Sequence, residues 1–237
     1  TDETGMTFGD FSAGEYALNI GWGRQLDSVF SIGANLKNIY SHLDTYSSYG
    51  LAVDVAGTYH NSKKQLTITA LALNIGRQIT SYTPGNNEPI PFEVQLGLSK
   101  RLAHTPFRFS VVLRNLQKWD LTYIDPNNQK PTVDAITGEP LSPKKFSTNL
   151  DKAMRHVVIG GEISPHKNFN IRLGFNYQRR KELQVDSRLS TVGISWGFGF
   201  RIKKFNLSYA RARYHLAGSP NHFTITTNIS DFIHPKS

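Results

Sequence analysis

The chain has 237 residues, 38% of them hydrophobic and 11% aromatic, with ten Tyr, fourteen Phe and no Cys. That is enough apolar content to bury a core, while the lack of cysteine excludes disulfides and thiolate metal sites, and the lack of any run of about 18 apolar residues excludes a helical membrane span. The formal charge of +9, from 27 Lys and Arg against 18 Asp and Glu, leaves nucleic acid, an anionic lipid surface or an arginine-lined interior open as its cause.

Taken in order, the chain reads as strands. Thr1 to Asp10 is polar and turn-like with no targeting segment, so we expect further residues ahead of it. Ala13 to Gln25 alternates, with Tyr16, Leu18, Ile20 and Trp22 opposite Glu15, Asn19, Gly21 and Gly23. After a turn at Leu26 to Ser28, Phe30, Ile32, Ala34 and Leu36 return, which predicts a hairpin. A longer polar and aromatic connection, Ser41 to Tyr49, is expected before Leu51, Val53, Val55 and Tyr59. His60 to Lys64 is a short turn, and Leu66 to Thr80 comes back with its phase blurred at Ala70 to Leu73.

The prolines between Thr83 and Pro91 mark a loop. Phe92, Val94, Leu96 and Leu98 then oppose Glu93, Gln95, Gly97 and Ser99, and beyond a turn at His104 and Pro106, Phe107 to Leu113 alternates. Trp119 to Ala153, with Pro126, Pro131, Pro140 and Pro143, reads as one long irregular loop, a length that is usually functional or disordered. Val157 to Ile163, a turn at Ser164 to Asn168 and Phe169 to Tyr177 form another hairpin, followed by a charged loop, Arg179 to Arg188.

Leu189 to Ile202 is the most telling stretch. Val192, Ile194, Trp196, Phe198, Phe200 and Ile202 make one apolar wall, and Thr191, Gly193, Ser195, Gly197, Gly199 and Arg201 make a small and polar one. That is the pattern of a strand with one face in lipid and the other in a barrel interior. Lys203 and Lys204 turn the chain into Phe205, Leu207 and Tyr209, after which a bulge near Ala210 is expected to swing Arg211 and Arg213 to the interior. Phe223 opens a last strand, and Asp231 to Ser237 is a tail.

These segments predict an all-β chain of about eleven strands without helix. Short turns at Leu26, Asn61, Thr105, His166 and Lys203 alternate with longer loops, as in an up-and-down outer-membrane barrel with short periplasmic turns and long outer loops. The short end is basic: Lys63, Lys64, Lys100, Arg101, Lys167, Lys203 and Lys204 would sit by lipid headgroups, which explains part of the charge without nucleic acid. Single-chain bacterial barrels have even strand numbers, so an odd count points to missing N-terminal strands. The whole of residues 1–237 is expected to be one barrel domain.

Ionisable residues expected on the interior face are Asp54, Arg77, Glu93, Arg108, Arg114, Glu162, Arg172, Arg201, Arg211 and Arg213. They could line an anion pathway, but charges in a narrow interior more often compensate one another. The eight histidines show no metal-ligand spacing, and no serine sits in a nucleophile-elbow context, so neither cofactor nor catalytic constellation is predicted. Gly21, Gly33, Gly193, Gly197 and Gly199 read as places where backbones approach closely. In the long loop, Trp119, Leu121, Tyr123, Ile124 and Phe146 suggest either a protein-binding surface or a segment folded back into the barrel mouth.

Several stretches resemble the PorQ family of bacterial type IX secretion systems, itself similar to FadL-like and PorV barrels. They are Gly33-Ala-Asn-Leu-Lys-Asn-Ile-Tyr40, Pro91-Phe-Glu-Val-Gln-Leu-Gly97, Arg101-Leu-Ala-His-Thr-Pro-Phe-Arg108, Trp119-Asp-Leu-Thr-Tyr123, Phe198-Gly-Phe-Arg-Ile-Lys-Lys-Phe205, Tyr214-His-Leu-Ala-Gly218 and Asn221-His-Phe223. The resemblance implies an outer-membrane barrel of about fourteen strands, about three of them from a preceding segment. It also implies a non-enzymatic role in an attachment complex, holding a PorZ-like surface protein beside the PorU sortase and the PorV barrel. No residue of the family's motifs is catalytic. Rival expectations are a FadL-like passive channel for hydrophobic or anionic solutes and a soluble all-β ligand-binding domain.

Overall fold

The computed structural model describes residues 11–83, 85–123, 145–183, 191–214 and 218–228, with the side chains of 145–147 left aside. Eleven antiparallel strands make one sheet in chain order. They are β1 (Ala13–Gln25), β2 (Phe30–Leu43), β3 (Tyr46–Asn61), β4 (Leu66–Thr80), β5 (Glu93–Arg101), β6 (Phe107–Leu113), β7 (Val157–His166), β8 (Phe169–Asn176), β9 (Ile194–Ile202), β10 (Phe205–Ala212) and β11 (Asn221–Thr227). β1 and β11 end the order. By contacts the chain divides into residues 1–62 with 68–96 and residues 63–67 with 97–237.

In the first unit the alternation of the sequence becomes two unlike faces. Tyr16 pairs with Tyr40 and Tyr40 with Tyr49; Trp22 pairs with Ala34 and Ala34 with Val55; Phe30 pairs with Tyr59. On this face Tyr16, Leu18, Ile20, Trp22, Phe30, Leu36, Tyr40, Val53 and Val55 are exposed and Ala34, Tyr49 and Tyr59 half-buried, whereas Ser48, Gly50, Ala52 and Asp54 on the other face of β3 are buried. The β1–β2 turn is fixed by the Asp27 carboxylate, which accepts the N–H groups of Val29 and Phe30 at 2.7 Å each, a short local bond of the kind that makes Asp a turn residue.

The connection expected from Ser41 to Tyr49 is corrected: β2 and β3 stay paired to Leu43 and Tyr46, and the chain reverses at Asp44, whose φ is 55°. Ser, His and Tyr at these positions alternate in register, so polar composition alone misled the reading. The blurred phase of β4 has a concrete cause. Thr69 meets Thr58 (3.0 Å) and Gln78 meets Ser48 (2.6 Å), and Thr58 and Ser48 share one face of β3. An odd and an even residue of β4 therefore point the same way, because Asn74 between them has a left-handed φ of 58°. By the same shift Arg77 falls with exposed Ile75 and Ile79, not on the face of Asp54 where it was expected.

In the second unit Arg108, Glu162, Arg172, Gly197 and Ala210 lie in one register row, and Phe169, Phe200 and Leu207 in another. β7 runs on to His166, with an irregularity after Ile163, where a turn from Ser164 was expected. At Gly197 a side chain would come within 2.6 Å of the Tyr209 carbonyl, which is the close approach the sequence suggested.

Four further expectations are corrected here. The chain does contain helix: α1 (Lys145–Arg155) lies inside the segment read as an irregular loop, and α2 (Tyr177–Leu183) replaces the start of the charged loop. Val192 does not join the exposed wall but is fully buried ahead of β9. It sits in a turn held by Gly193, whose φ of 87° ends the strand phase and whose carbonyl accepts the Asn176 N–H at 2.8 Å. The bulge near Ala210 is absent, since β9 and β10 pair without interruption from Phe205 opposite Ile202 to Ala212 opposite Ser195. Arg211 is therefore opposite Trp196, on the apolar face, and Arg213, whose N–H reaches the Ile194 carbonyl, continues that face.

Candidate functional site

Three surfaces carry chemistry. The first is the polar face. Asp54, buried, accepts from Lys37 Nζ at 2.8 Å, Asn35 Nδ2 at 3.2 Å and the Asn74 N–H at 2.9 Å, and Lys37 also donates to Asn74 Oδ1 at 2.8 Å. Glu162 is shared by Arg172 Nε at 2.9 Å and Arg108 Nη1 at 3.6 Å, with Ser164 Oγ donating at 3.3 Å. The expected compensation of charge thus holds for Asp54, Arg108, Glu162 and Arg172. Glu93, half-buried at the start of β5, is also engaged. Arg201 is exposed beside Gly199 and has no carboxylate partner among the described residues. Arg114 lies just beyond β6, where its N–H and carbonyl both bind His156. Arg211 and Arg213 belong to the opposite face, as above.

Lys37 was missed by the sequence reading. Its signal was available: it is two residues from Asn35, and Asn35 is the register partner of Asp54, so its long side chain reaches the carboxylate on the diagonal.

The second surface lies where β6, α1, β7 and α2 meet. His156 is buried and its ring faces two backbone carbonyls, Arg114 O at 2.7 Å from Nδ1 and Trp119 O at 3.1 Å from Nε2. Trp119 stacks on it with ring centroids 5.9 Å apart. Beneath, Asp151 of α1 accepts from Tyr177 Oη at 2.7 Å and Arg155 Nε at 2.8 Å, and Lys181 of α2 stands 3.9 Å away. Lys152 pairs with Asp120 at 2.6 Å. Burial pushes the Asp151 carboxyl up, but the donors Tyr177 and Arg155 and the nearby cations outweigh it and hold the group below the usual carboxylate range. Burial and the Asp151 charge together push the Tyr177 phenol up.

On this scaffold Trp119 is 60% and Tyr123 71% exposed, with Leu116 exposed nearby in sequence, Leu150 exposed on α1 and Leu121 half-buried. The scaffold thus carries two largely exposed aromatic rings, Trp119 and Tyr123. Ile124 and the Phe146 side chain, the other expected members, lie outside the described residues, as does most of the loop Trp119 to Ala153.

The third surface is the apolar face. In the first unit aromatic rings gather at both of its margins, Tyr16, Tyr40 and His42 stacked at one and Phe30 against Tyr59 at the other; between them lie aliphatic side chains, with Trp22 in the row of Ala34 and Val55 and Asn38 in the row of Leu18 and Leu51. In the second unit Phe169 stacks on Phe200, and Trp196, Phe198 and Tyr209 cluster at 5.3 to 6.5 Å. Among the described residues no helix is long and apolar enough to cross a membrane, and no three His or carboxylates are placed to hold a metal.

Scans against protein-family models and against curated proteins return no match for this chain.

Proposed function

We propose that this chain is part of an outer-membrane β-barrel that acts without catalysis, as an anchor. Its apolar face meets lipid, its basic short turns face the periplasm, and the Trp119–Tyr123 surface holds an extracellular protein. The resemblance to PorQ-type barrels suggests which assembly this serves: a type IX attachment complex in which a PorZ-like protein is held near the PorU sortase and the PorV barrel. The anchor contributes position, raising the local concentration of the processing enzyme at the membrane.

The observation that carries the reading is the pair of aromatic margins. Phe30 to Tyr40 on β2 and Tyr49 to Tyr59 on β3 are register-matched spans of about ten residues, or about 33 Å of strand, which at a tilt of about 40° gives the roughly 25 Å apolar band of an outer-membrane barrel. Between these margins the face is mostly apolar, with Trp22 and Asn38 inside the span, and soluble monomers rarely expose apolar patches beyond a few hundred Å².

The test is photo-crosslinking in membranes of the producing cell. A photoreactive residue at Tyr123 is expected to trap a surface protein, while one at Lys203 traps none; equal trapping at both contradicts the docking role. A FadL-like passive channel for hydrophobic or anionic solutes is the second reading, favoured for anions by Arg108 and Arg172 sharing one carboxylate while Arg201 has no carboxylate partner among the described residues. Planar-bilayer recording separates the two, because a channel carries steady anion-selective current and an anchor almost none.

A further inference from the structure

Arg211 and Arg213 stand on the wrong face for an interior pathway, and that displacement has a use. The apolar face of β10 runs Phe205, Leu207, Tyr209 and then turns cationic at Arg211 and Arg213. Phe205 to Arg213 spans about eight residues, or about 26 Å of strand, so the guanidinium groups come where the apolar band ends, opposite the Lys203–Lys204 turn. They border a cavity of about 360 Å³ completed by Thr191, Ile194, Trp196 and Ser219. Arg213 Nη1 donates to Thr191 Oγ1 at 3.1 Å, and among the described residues neither arginine has a carboxylate partner.

Among the described residues, the polar side chains of this cavity are donors or hydroxyls: two guanidinium forks, an indole and two hydroxyls. Guanidinium pairs match phosphate oxygens bidentately. Ile194 and Trp196, both exposed, stand level with Arg213 and Arg211 on the neighbouring strand, and Phe198 and Tyr209 make the next row of the same face. A cationic cavity beside apolar side chains, with an aromatic row next to it along the strands, fits an amphiphile with an anionic head and hydrocarbon tails.

We propose that Arg211 and Arg213 form a binding site for the phosphate head of a lipid in the leaflet on the long-loop side, with the chains of that lipid lying along Trp196, Phe198 and Tyr209. The proposal rests on the membrane reading above. The lipid is identified by its chemistry: a phosphate-bearing lipid, which in an outer leaflet means a phosphorylated glycolipid.

The experiment uses purified full chain in detergent and native mass spectrometry, with bisphosphorylated lipid A, its dephosphorylated form and inorganic phosphate as probes. Wild type is expected to retain lipid A and to release the dephosphorylated form. The Arg211→Gln/Arg213→Gln double variant is expected to hold lipid A roughly thirtyfold more weakly, the equivalent of about 2 kcal/mol for two interfacial cations. Equal retention by wild type and the double variant overturns the proposal. Displacement of lipid A by inorganic phosphate at equal concentration also overturns it, since the site would then be a free-anion site. Alkaline extraction of both proteins from reconstituted vesicles distinguishes the failures: protein that stays in the bilayer but shows no lipid preference sinks this site alone, and protein that washes off sinks the membrane reading as well.

Discussion

Removing the Asp54 carboxylate strands three donors together: the Lys37 ammonium, the Asn35 amide and the Asn74 N–H. Because the site is largely buried, those donors do not recover full hydration, and Asp54→Ala is expected to cost about 2–3 kcal/mol. Arg172→Ala is expected to cost less than about 1 kcal/mol, since its guanidinium is more than half exposed and screened. Urea unfolding in micelles, followed by tryptophan fluorescence, checks the difference; equal costs would contradict the burial argument. Asp151 gives a pH dependence. Its carboxyl titrates below the ordinary 3.8 in the folded protein, so its stabilisation of α1 against α2 is fully present above the unfolded value and is lost as pH falls through the depressed folded one. Asp120, held down by the hydrogen bond from Lys152 and the Thr122 N–H, acts in the same direction. Hydrogen exchange at 145–183 is therefore expected to be flat from neutral pH to about 4, once corrected for intrinsic rates, and to accelerate below it. Protection that falls between pH 7 and 5 would assign the coupling to some other group.

Strands and helices differ in how far the amino-acid sequence announces them. β1, β2, β6 and β8 to β10 were legible because period-two alternation is a property of the strand itself and needs no knowledge of neighbours. The helices were not. In Lys145–Arg155 the apolar residues Phe146, Leu150 and Met154 recur at helical spacing with no Gly or Pro among them, but the prolines upstream drew the whole stretch into one loop. For Tyr177–Leu183 the missed sign was Asn176, whose side chain caps the first turn by accepting the Arg179 N–H at 3.0 Å. Of the charges expected on the interior face, Asp54, Arg108, Glu162 and Arg172 lie on the polar faces of their strands and pair with opposite charges there. Arg77 and Arg211 failed in opposite ways, one because an unforeseen left-handed Asn74 shifted the phase, the other because an expected bulge did not occur. Only the register of the neighbouring strand decides such cases. The face assignment itself can be tested on β3: Val55→Arg, in the middle of the apolar band, is expected to destabilise the inserted protein by about 2–4 kcal/mol, whereas Thr58→Arg on the polar face is expected to cost under about 1 kcal/mol. Refolding titrations into lipid vesicles measure both, and similar costs would mean that the two faces share one environment.

At the scale of the molecule, each unit has an exposed apolar face and a polar face on which charges pair, and the second unit adds an aromatic surface between α1 and the end of β6. Docking at that surface predicts that Tyr123→Ala weakens capture of the surface partner about tenfold or more, as truncating an exposed aromatic anchor does. Trp119→Ala should do so too, with an added loss of protection at His156, on which it stacks. All of this depends on what covers the apolar face. The chain has no cysteine, so single spin labels can be placed at Leu173 and Phe200 on one face and at Arg172 and Arg201 on the other without background. In reconstituted vesicles, labels at Leu173 and Phe200 are expected to relax with oxygen, which concentrates in hydrocarbon, and to ignore a water-soluble nickel chelate, while those at Arg172 and Arg201 respond to the chelate. Labels at Leu173 and Phe200 shielded from both reagents would mean that protein packs there, and labels open to the chelate would mean water; either contradicts the membrane-anchor account.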